Sequence, residues 1–501
     1  MNIKKAKEQI KNAITAYLTK DDLGNYMIPV EKQRPIFLVG APGIGKTAIM
    51  EQIASELEIG LLSYSMTHHT RQSAIGLPYI THKEYDGKEY SITEYTMSEI
   101  VASVFEVMES SGVKEGILFL DEINCVSETL SPLMLQFLQY KVFGRHQIPE
   151  GWVIVTAGNP PEYNDSVREF DVVTLDRLKK IDVEPDINVW KEYAYEVGIH
   201  PAVMSFLDIK RSYFHSIETT IDGKNLVTPR GWEDLSKMIH LFEKNGLTVD
   251  EDLIIQYLQN RKITKEFSVY YDLFKKYKED YQVKSIIEGK PDGSLKKKAL
   301  KASFDERLSL VGLLLDGVGE GIREVIEGKE YLLLCMNSIK EYKRILDGKK
   351  TTPQQGLVSV IDSEEKALLS LRNSGALSVN EKIRRQKCIL FLRELSAEIN
   401  DAENGETAYK VIKQKYNQVL KVFKKKAELS KKQLSNMFKF CEEVFGDGQE
   451  MLIVVTELTA NPSSAKFIGE FGCDEYFNHN KDLLFYERQI EIITKLQDLG
   501  L

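Results

Sequence analysis

The sequence is poor in cysteine and in long apolar runs. Its five cysteines, at positions 125, 335, 388, 441 and 473, stand far apart, are odd in number and include no Cys-x-x-Cys pair. Such spacing excludes a disulfide framework and a cysteine-based zinc site, and it fits a reducing, cytoplasmic setting. No apolar stretch reaches the roughly 18 residues that a membrane-spanning helix needs, so no membrane partner is expected. The opening segment, MNIKKAKEQIKNAITAYL, has lysines but no unbroken apolar core. Ile3, Ala6, Ile10, Ile14 and Tyr17 recur there at helical spacing, which predicts an amphipathic helix rather than a signal peptide. A basic excess is missing too: Lys plus Arg total 66 against 75 for Asp plus Glu, a net charge of −9. That balance argues against a chain whose main task is gripping nucleic acid.

What is present suits a folded chain. Of 501 residues, 43% are hydrophobic and 28% charged, enough for a sizeable core and for about two to four domains. Residues 34–182 alternate between strand and helix patterns. PIFLVG, GILFLDE and GWVIVTAGN are short runs, apolar throughout, as parallel strands covered on both faces require. TAIMEQIASEL and SEIVASVFEVMESSG have helical periodicity, the second ending at Gly112. The alternation predicts an α/β layer architecture with a parallel sheet. GLPYITHKEYDGKEYSITEYTM alternates around Asp86-Gly87, a hairpin signal placed near 77–97. From about 183 to 262 the pattern is mostly helical, with a second hairpin expected around Asp222-Gly223. EGKPDGSLKKK, residues 288–298, is the expected linker. Beyond it the chain reads as helices, giving an all-α region over 263–501 with no evident role. Within that region KVIKQKYNQVLKVFKKKA puts Ile412, Tyr416, Val419, Leu420 and Phe423 on one face. Its lysines read as a solvated face, with phosphate binding as the alternative.

Three segments carry chemistry. GAPGIGKT matches GxxxxGK[ST], with Gly40, Gly45, Lys46 and Thr47 in place. Glycines let backbone N–H groups turn inward around phosphate oxygens. The expected nucleotide contacts are Gly40, Ala41, Pro42, Gly43, Ile44, Gly45, Lys46, Thr47 and Ala48. Lys46 would reach the β and γ phosphates, and the Thr47 hydroxyl would hold Mg²⁺. ILFLDE then leaves Asp121 and Glu122 at the carboxyl end of a buried strand, where open α/β sheets place ligands. Asp121 would support Mg²⁺, and Glu122 would polarise the attacking water. VIVTAGNP ends a third strand in Asn159. A neutral amide there can orient water against the γ phosphate; the plainer reading is that Asn-Pro opens a turn. His68 and His69 lack a third ligand, and neighbouring side chains of an extended segment point apart, so they are read as loop residues.

In the order GAPGIGKT, LFLDEIN, VTAGNP, LDRLKKID, TPRGWEDL, the chain resembles AAA+ ATPases, and within them the MoxR-like branch, over roughly residues 1–262. The resemblance implies a P-loop domain at 1–182, a helical lid at 183–262, ATP and Mg²⁺ as ligands, and a homo-oligomeric ring, usually a hexamer. ATP over GTP rests on this resemblance; no NKxD guanine signature stands at a suitable place. By position, Asn159 matches sensor 1, Arg177 the arginine finger offered to an adjacent subunit, and Arg230 sensor 2. The Asp86-Gly87 hairpin lies where the branch inserts an element into its second helix. The usual LDRF is LDRL here, with Leu178, a change that touches packing and not the guanidinium. MoxR-like ATPases commonly work with a protein bearing a von Willebrand A domain, so a chaperone-like remodeller of a client protein is expected.

Arg177 follows the third motif strand, towards the sheet edge, and is expected to lie away from its own P-loop. The alternative is a structural arginine paired with Asp171 or Asp176. Two other functions remain open: a nucleotide-latched binding module with little turnover, and a nucleic-acid remodeller encouraged by the lysine-rich helix.

Overall fold

The computed structural model describes residues 1–68, 76–143, 145–163, 167–220, 223–348, 351–399 and 404–480. Contacts divide the chain into two compact units, residues 1–186 with 359–389, and residues 187–358 with 390–501.

The first unit is built on five parallel strands: β1 (Ile36–Gly40), β2 (Gly60–Ser65), β5 (Gly116–Asp121), β6 (Trp152–Gly158) and β7 (Lys179–Val183). Their order across the sheet is β2-β5-β6-β1-β7. The period-2 alternation of each strand sorts its side chains between two cores. Ile36, Leu38, Ile117, Phe119, Val153 and Val155 face one way, against Ile10 and Ile14 of α1 (Ile3–Tyr17) and Ile49 and Ile53 of α2 (Lys46–Leu57). Phe37, Leu118, Leu120 and Ile154 face the other. There they meet Ile100 and Val104 of α3 (Glu99–Ser111) and Met134 and Phe137 of α4 (Ser131–Tyr140). Helices thus cover both faces, which is why the strands read as unbroken apolar runs. The expected first hairpin is β3 (Pro78–Tyr85) with β4 (Lys88–Tyr95), turning through Asp86 and Gly87 at positive φ.

Strand β2 lies at the edge of the sheet, and a distant segment meets it. The Leu61 N–H donates to the Ser374 carbonyl (2.7 Å), and Ser370 Oγ donates to the Ser111 carbonyl (2.9 Å). Residues 359–389 therefore belong with the α/β unit, whereas the sequence pattern grouped them with the C-terminal helices.

The second unit is helical apart from one hairpin, β8 (Ser216–Thr220) with β9 (Gly223–Val227). Asp222, named for that turn, lies outside the described residues, as does His69. One core runs from Trp190 and Phe206 through Trp232, Phe267, Leu314 and Leu434 to Phe467. Its helices include α6 (Ile187–Val197), α7 (Pro201–Ile209), α8 (Pro229–Lys244), α9 (Glu251–Leu258) and α10 (Arg261–Asp280), so 187–262 packs with the later helices and not as a separate unit. The expected linker at 288–298 is a correction. Gly289, at φ +77°, follows α11 (Val283–Ile287), and the Asp292 side chain caps α12 (Gly293–Lys301). Two of its lysines are held by acids within the unit, Lys296 by Glu443 and Lys298 by Asp280. The long helices α13 (Phe304–Asp347) and α16 (Gly405–Phe445) pack together in this unit, with α14 (Pro353–Asn373) and α15 (Val379–Glu398) between them in sequence.

Candidate active site

Three adjacent strands end side by side. The β5–β6 and β6–β1 registers put Asp121, Asn159 and the loop after Gly40 at the same edge of the sheet. The loop between β1 and α2 passes through Gly45, whose left-handed φ of +93° lets the chain enter the helix at Lys46. A side chain at Gly40 would meet the Val183 carbonyl at 2.7 Å, so only a glycine lets the loop start there. The exposed N–H groups of the first helical turn and the helix dipole both favour an anion at this loop.

Lys46 is 8% exposed and folds back over the loop. Its ammonium donates to the carbonyls of Gly40 (2.6 Å) and Ala41 (2.9 Å) and to Asn159 Oδ1 (2.9 Å). Thr47 Oγ1 donates to Asp121 Oδ2 (3.1 Å), and the Glu122 N–H donates to Asp121 Oδ1 (2.9 Å). The paired hydroxyl and carboxylate are hard oxygen donors, the set Mg²⁺ takes. Donor chemistry and loop shape fit a magnesium-bound nucleoside triphosphate.

Glu122 sits in left-handed backbone at φ +56°, uncommon for a residue with a Cβ and a conformation retained where surroundings enforce it. Its Oε2 accepts from Ser65 Oγ (2.9 Å) and Thr67 Oγ1 (3.0 Å). These two hydroxyls, at and just past the end of β2, escaped sequence reasoning. Their only signal was position after an apolar strand, and nothing in the sequence announced that β2 lies beside β5. Asn124 is a second omission: its Nδ2 donates to the Asn159 carbonyl (2.7 Å). Burial first, then the nearby Glu122 and Asp121 carboxylates, push the Cys125 thiol up.

Arg177 lies elsewhere. It follows the short helix α5 (Val172–Asp176), and Leu178 alone separates it from β7. Strand β7 pairs in parallel with β1, Lys179 opposite Ile36 and Val183 opposite Gly40. Arg177 therefore stands at the amino end of the sheet and the phosphate loop at the carboxyl end. The five residues of β1 separate those ends by about 13 Å. The exposed guanidinium donates to Gln139 Oε1 (2.7 Å) and lines a cleft of 310 Å³ with Pro132, Gln136, Val173 and Thr174. Among the described residues it forms no ion pair with Asp171 or Asp176. Asp171 spends its carboxylate capping the Thr174 N–H (2.7 Å). Leu178 is buried in the core under the sheet.

Arg230 belongs to the second unit. It stands exposed in the first turn of α8, between Thr228, whose Oγ1 caps the Gly231 N–H (3.2 Å), and buried Trp232. The structure thus gathers Lys46, Thr47, Asp121, Glu122 and Asn159 at one place and sets Arg177 outside it. His68 closes a 3₁₀ turn, and no group of three metal-ligating side chains occurs among the described residues. Nor is any described helix long and apolar enough to cross a membrane.

Residues 36–173 match the family model described as ATPase family associated with various cellular activities (AAA). The chain carries an AAA domain. The matched segment holds the phosphate loop, Asp121, Glu122 and Asn159, and stops short of Arg177 and Arg230. No curated protein matches the chain. Among solved structures, a proline-to-glycine mutant of RuvB from Thermotoga maritima is similar over 50% of this chain and 69% of its own, at 16% identity. The TM-score is 0.28, so no conclusion about this chain rests on that likeness. For the AAA domain itself, the family description implies ATP as the ligand, and the donors around Lys46 and Thr47 fit a magnesium-bound triphosphate.

Proposed function

We propose that this chain hydrolyses ATP at sites shared between neighbouring copies in a closed ring, and uses the cycle to remodel a client protein, in the manner of MoxR-like ATPases. The observation that carries the reading is the β1–β7 register, which leaves Arg177 at the opposite end of the sheet from its own phosphate loop. A guanidinium so placed serves a nucleotide only if a second chain brings one. Its surroundings suit contact with that chain, since Val172 is 82% and Val173 59% exposed beside it. Such a contact is head to tail, and rotation closes it into a ring.

In this reading the backbone of Gly40 to Ala48 cradles the phosphates, and Lys46 exchanges its loop carbonyls for β and γ oxygens. Thr47 and Asp121 hold Mg²⁺, which when bound neutralises charge on the phosphates. Glu122 takes the proton of the attacking water, and the Asn159 amide orients it. The neighbour's Arg177 meets charge on the transferring group, a role worth about 10³- to 10⁵-fold in rate, or about 4–7 kcal/mol of barrier. By resemblance alone, Arg230 is assigned the sensor-2 role.

Mixing a Glu122→Gln chain with an Arg177→Ala chain tests the reading. Each chain alone should be inactive, and mixtures should recover ATPase activity, because some interfaces pair an intact Glu122 with an intact Arg177. No recovery at any mixing ratio rejects shared sites. A nucleic-acid remodeller is the second reading, favoured by the exposed Lys421, Lys424 and Lys425 on α16. Weak binding to duplex or single strands at low salt removes it, because phosphate contacts are strongest there.

A further inference from the structure

Helix α13 runs unbroken from Phe304 to Asp347, yet glycine stands at 312, 317, 319, 321 and 328. Glycine inside a helix costs stability relative to alanine, because its backbone gives up more freedom on folding. Close packing accounts for Gly312 and Gly321. A Cβ at Gly312 would stand 3.3 Å from that of Ser205, and one at Gly321 3.0 Å from Ser430 Oγ. The other positions have room for a methyl group. The nearest atoms would be Ile287 Cδ1 at 3.4 Å for Gly317, Arg323 Nη1 at 3.7 Å for Gly319 and Phe423 Cδ2 at 3.4 Å for Gly328, all ordinary contacts. Gly317 and Gly319, two residues apart, also look to different sides of the helix, so no single neighbour asks for both.

The glycines lead up to a junction. As far as Ile326, α13 lies in the core that also holds Phe206 of α7, Phe267 of α10 and Ala427 of α16. Past it, the buried Leu332, Cys335, Ile339 and Tyr342 lie outside that core. The far end of α13 is instead gripped by other helices. Tyr342 packs on Gly356 of α14, Leu346 packs on Gly405 at the start of α16, and Gln354 Nε2 donates to Ser396 Oγ of α15 (2.8 Å). Helices α14 and α15 each continue without a break into residues 359–389, which belong to the α/β unit.

We infer that α13 is a built-in hinge, which bends between Gly317 and Gly328 and lets the distal helices swing against the core of the helical unit. Hinges fall where a few residues, often small ones, absorb the change in backbone angles. Glycine without a packing reason supplies that freedom, and the distal helices beyond it are held to one another. The ATP cycle draws on this bend, since α14 and α15 have no loop to give way as they run into residues 359–389. That use of the hinge rests on the ATPase reading; the bend itself does not.

The test places alanine at Gly317, Gly319 and Gly328 together in the full-length chain. The hinge expects a higher thermal midpoint and amide exchange over residues 318–329 slowed by about tenfold, the combined gain of three glycine-to-alanine changes that fit their sites. It also expects the chain to lose most of its ATP turnover while binding a fluorescent ATP analogue as before. A lowered midpoint would mean that packing requires these glycines, and parent exchange over 318–329 as slow as over 332–342 would mean that no soft segment exists; either result overturns the hinge. A stiffened helix with undiminished turnover overturns its use in the cycle. A parent chain that hydrolyses no ATP overturns the ATPase reading and leaves the bend to the midpoint and the exchange. Should the triple variant fail to fold, Gly319→Ala alone, whose Cβ would approach only Arg323 Nη1, is read by the same measurements.

Discussion

Among single residues, the assignment of Glu122 is the most exposed to test. Its carboxylate is held by two hydroxyls beside the Thr47–Asp121 pair, in backbone that the surroundings enforce. Glu122→Gln keeps the shape and one acceptor but removes the base. The turnover number should fall by about 10²- to 10⁴-fold while ATP still binds, measured as steady-state phosphate release beside binding of a fluorescent ATP analogue. Lost binding with the same substitution would make Glu122 a structural member of the site. Lys46, Thr47, Asp121, Glu122 and Asn159 were legible in the sequence because their spacing is set by strand ends and one loop. Ser65, Thr67 and the bonds of Asn124 were not, because a hydroxyl or amide gains its partner only when strands distant in sequence lie side by side.

Elements carry a different set of expectations. The long periodic helices and the alternating hairpin at Asp86-Gly87 were readable from local pattern alone. The partner at the β2 edge was not, since a strand's edge is closed by whatever the tertiary fold brings there. Gly375 makes that closure possible: its φ is +71°, and a Cβ would stand 2.6 Å from the Leu61 carbonyl. Gly375→Ala should destabilise the α/β unit by about 1–3 kcal/mol, seen as a lower thermal midpoint. An unchanged midpoint would mean that residues 359–389 add nothing to the sheet.

In the second unit, α7, α8 and α10 meet at a partly exposed acid. Glu243 accepts from Tyr271 Oη (2.8 Å) and lies 3.4 Å from His200 Nε2. The His200 hydrogen bond chiefly, against burial, holds its carboxyl at about 2. The folded state therefore binds fewer protons than the unfolded one below the ordinary glutamate value of about 4.3. Stability from this group is present above that value and is lost as pH falls towards 2. Replacing Glu243 by Gln should flatten the acid limb of thermal stability against pH over this window; an identical limb would assign the acid sensitivity to other carboxylates.

At the scale of the molecule, one unit gathers Lys46, Thr47, Asp121, Glu122 and Asn159 at one end of its sheet and carries Arg177 at the other. The parallel register of β1 and β7 is the cause, for it sends the phosphate loop and Arg177 to opposite ends of one sheet. This separation was legible in outline from the order of motifs; the strand register supplied the direction. The helical unit was legible as helices and not as a single core, because a core from Trp190 to Phe467 depends on which apolar faces meet. The most direct measurement is the structure of the assembled protein with a nonhydrolysable ATP analogue. The account expects the Arg177 guanidinium within hydrogen-bond distance of the γ phosphate bound by a neighbouring copy. An Arg177 still bonded to Gln139 of its own chain, or turned to solvent with every site filled, would contradict it.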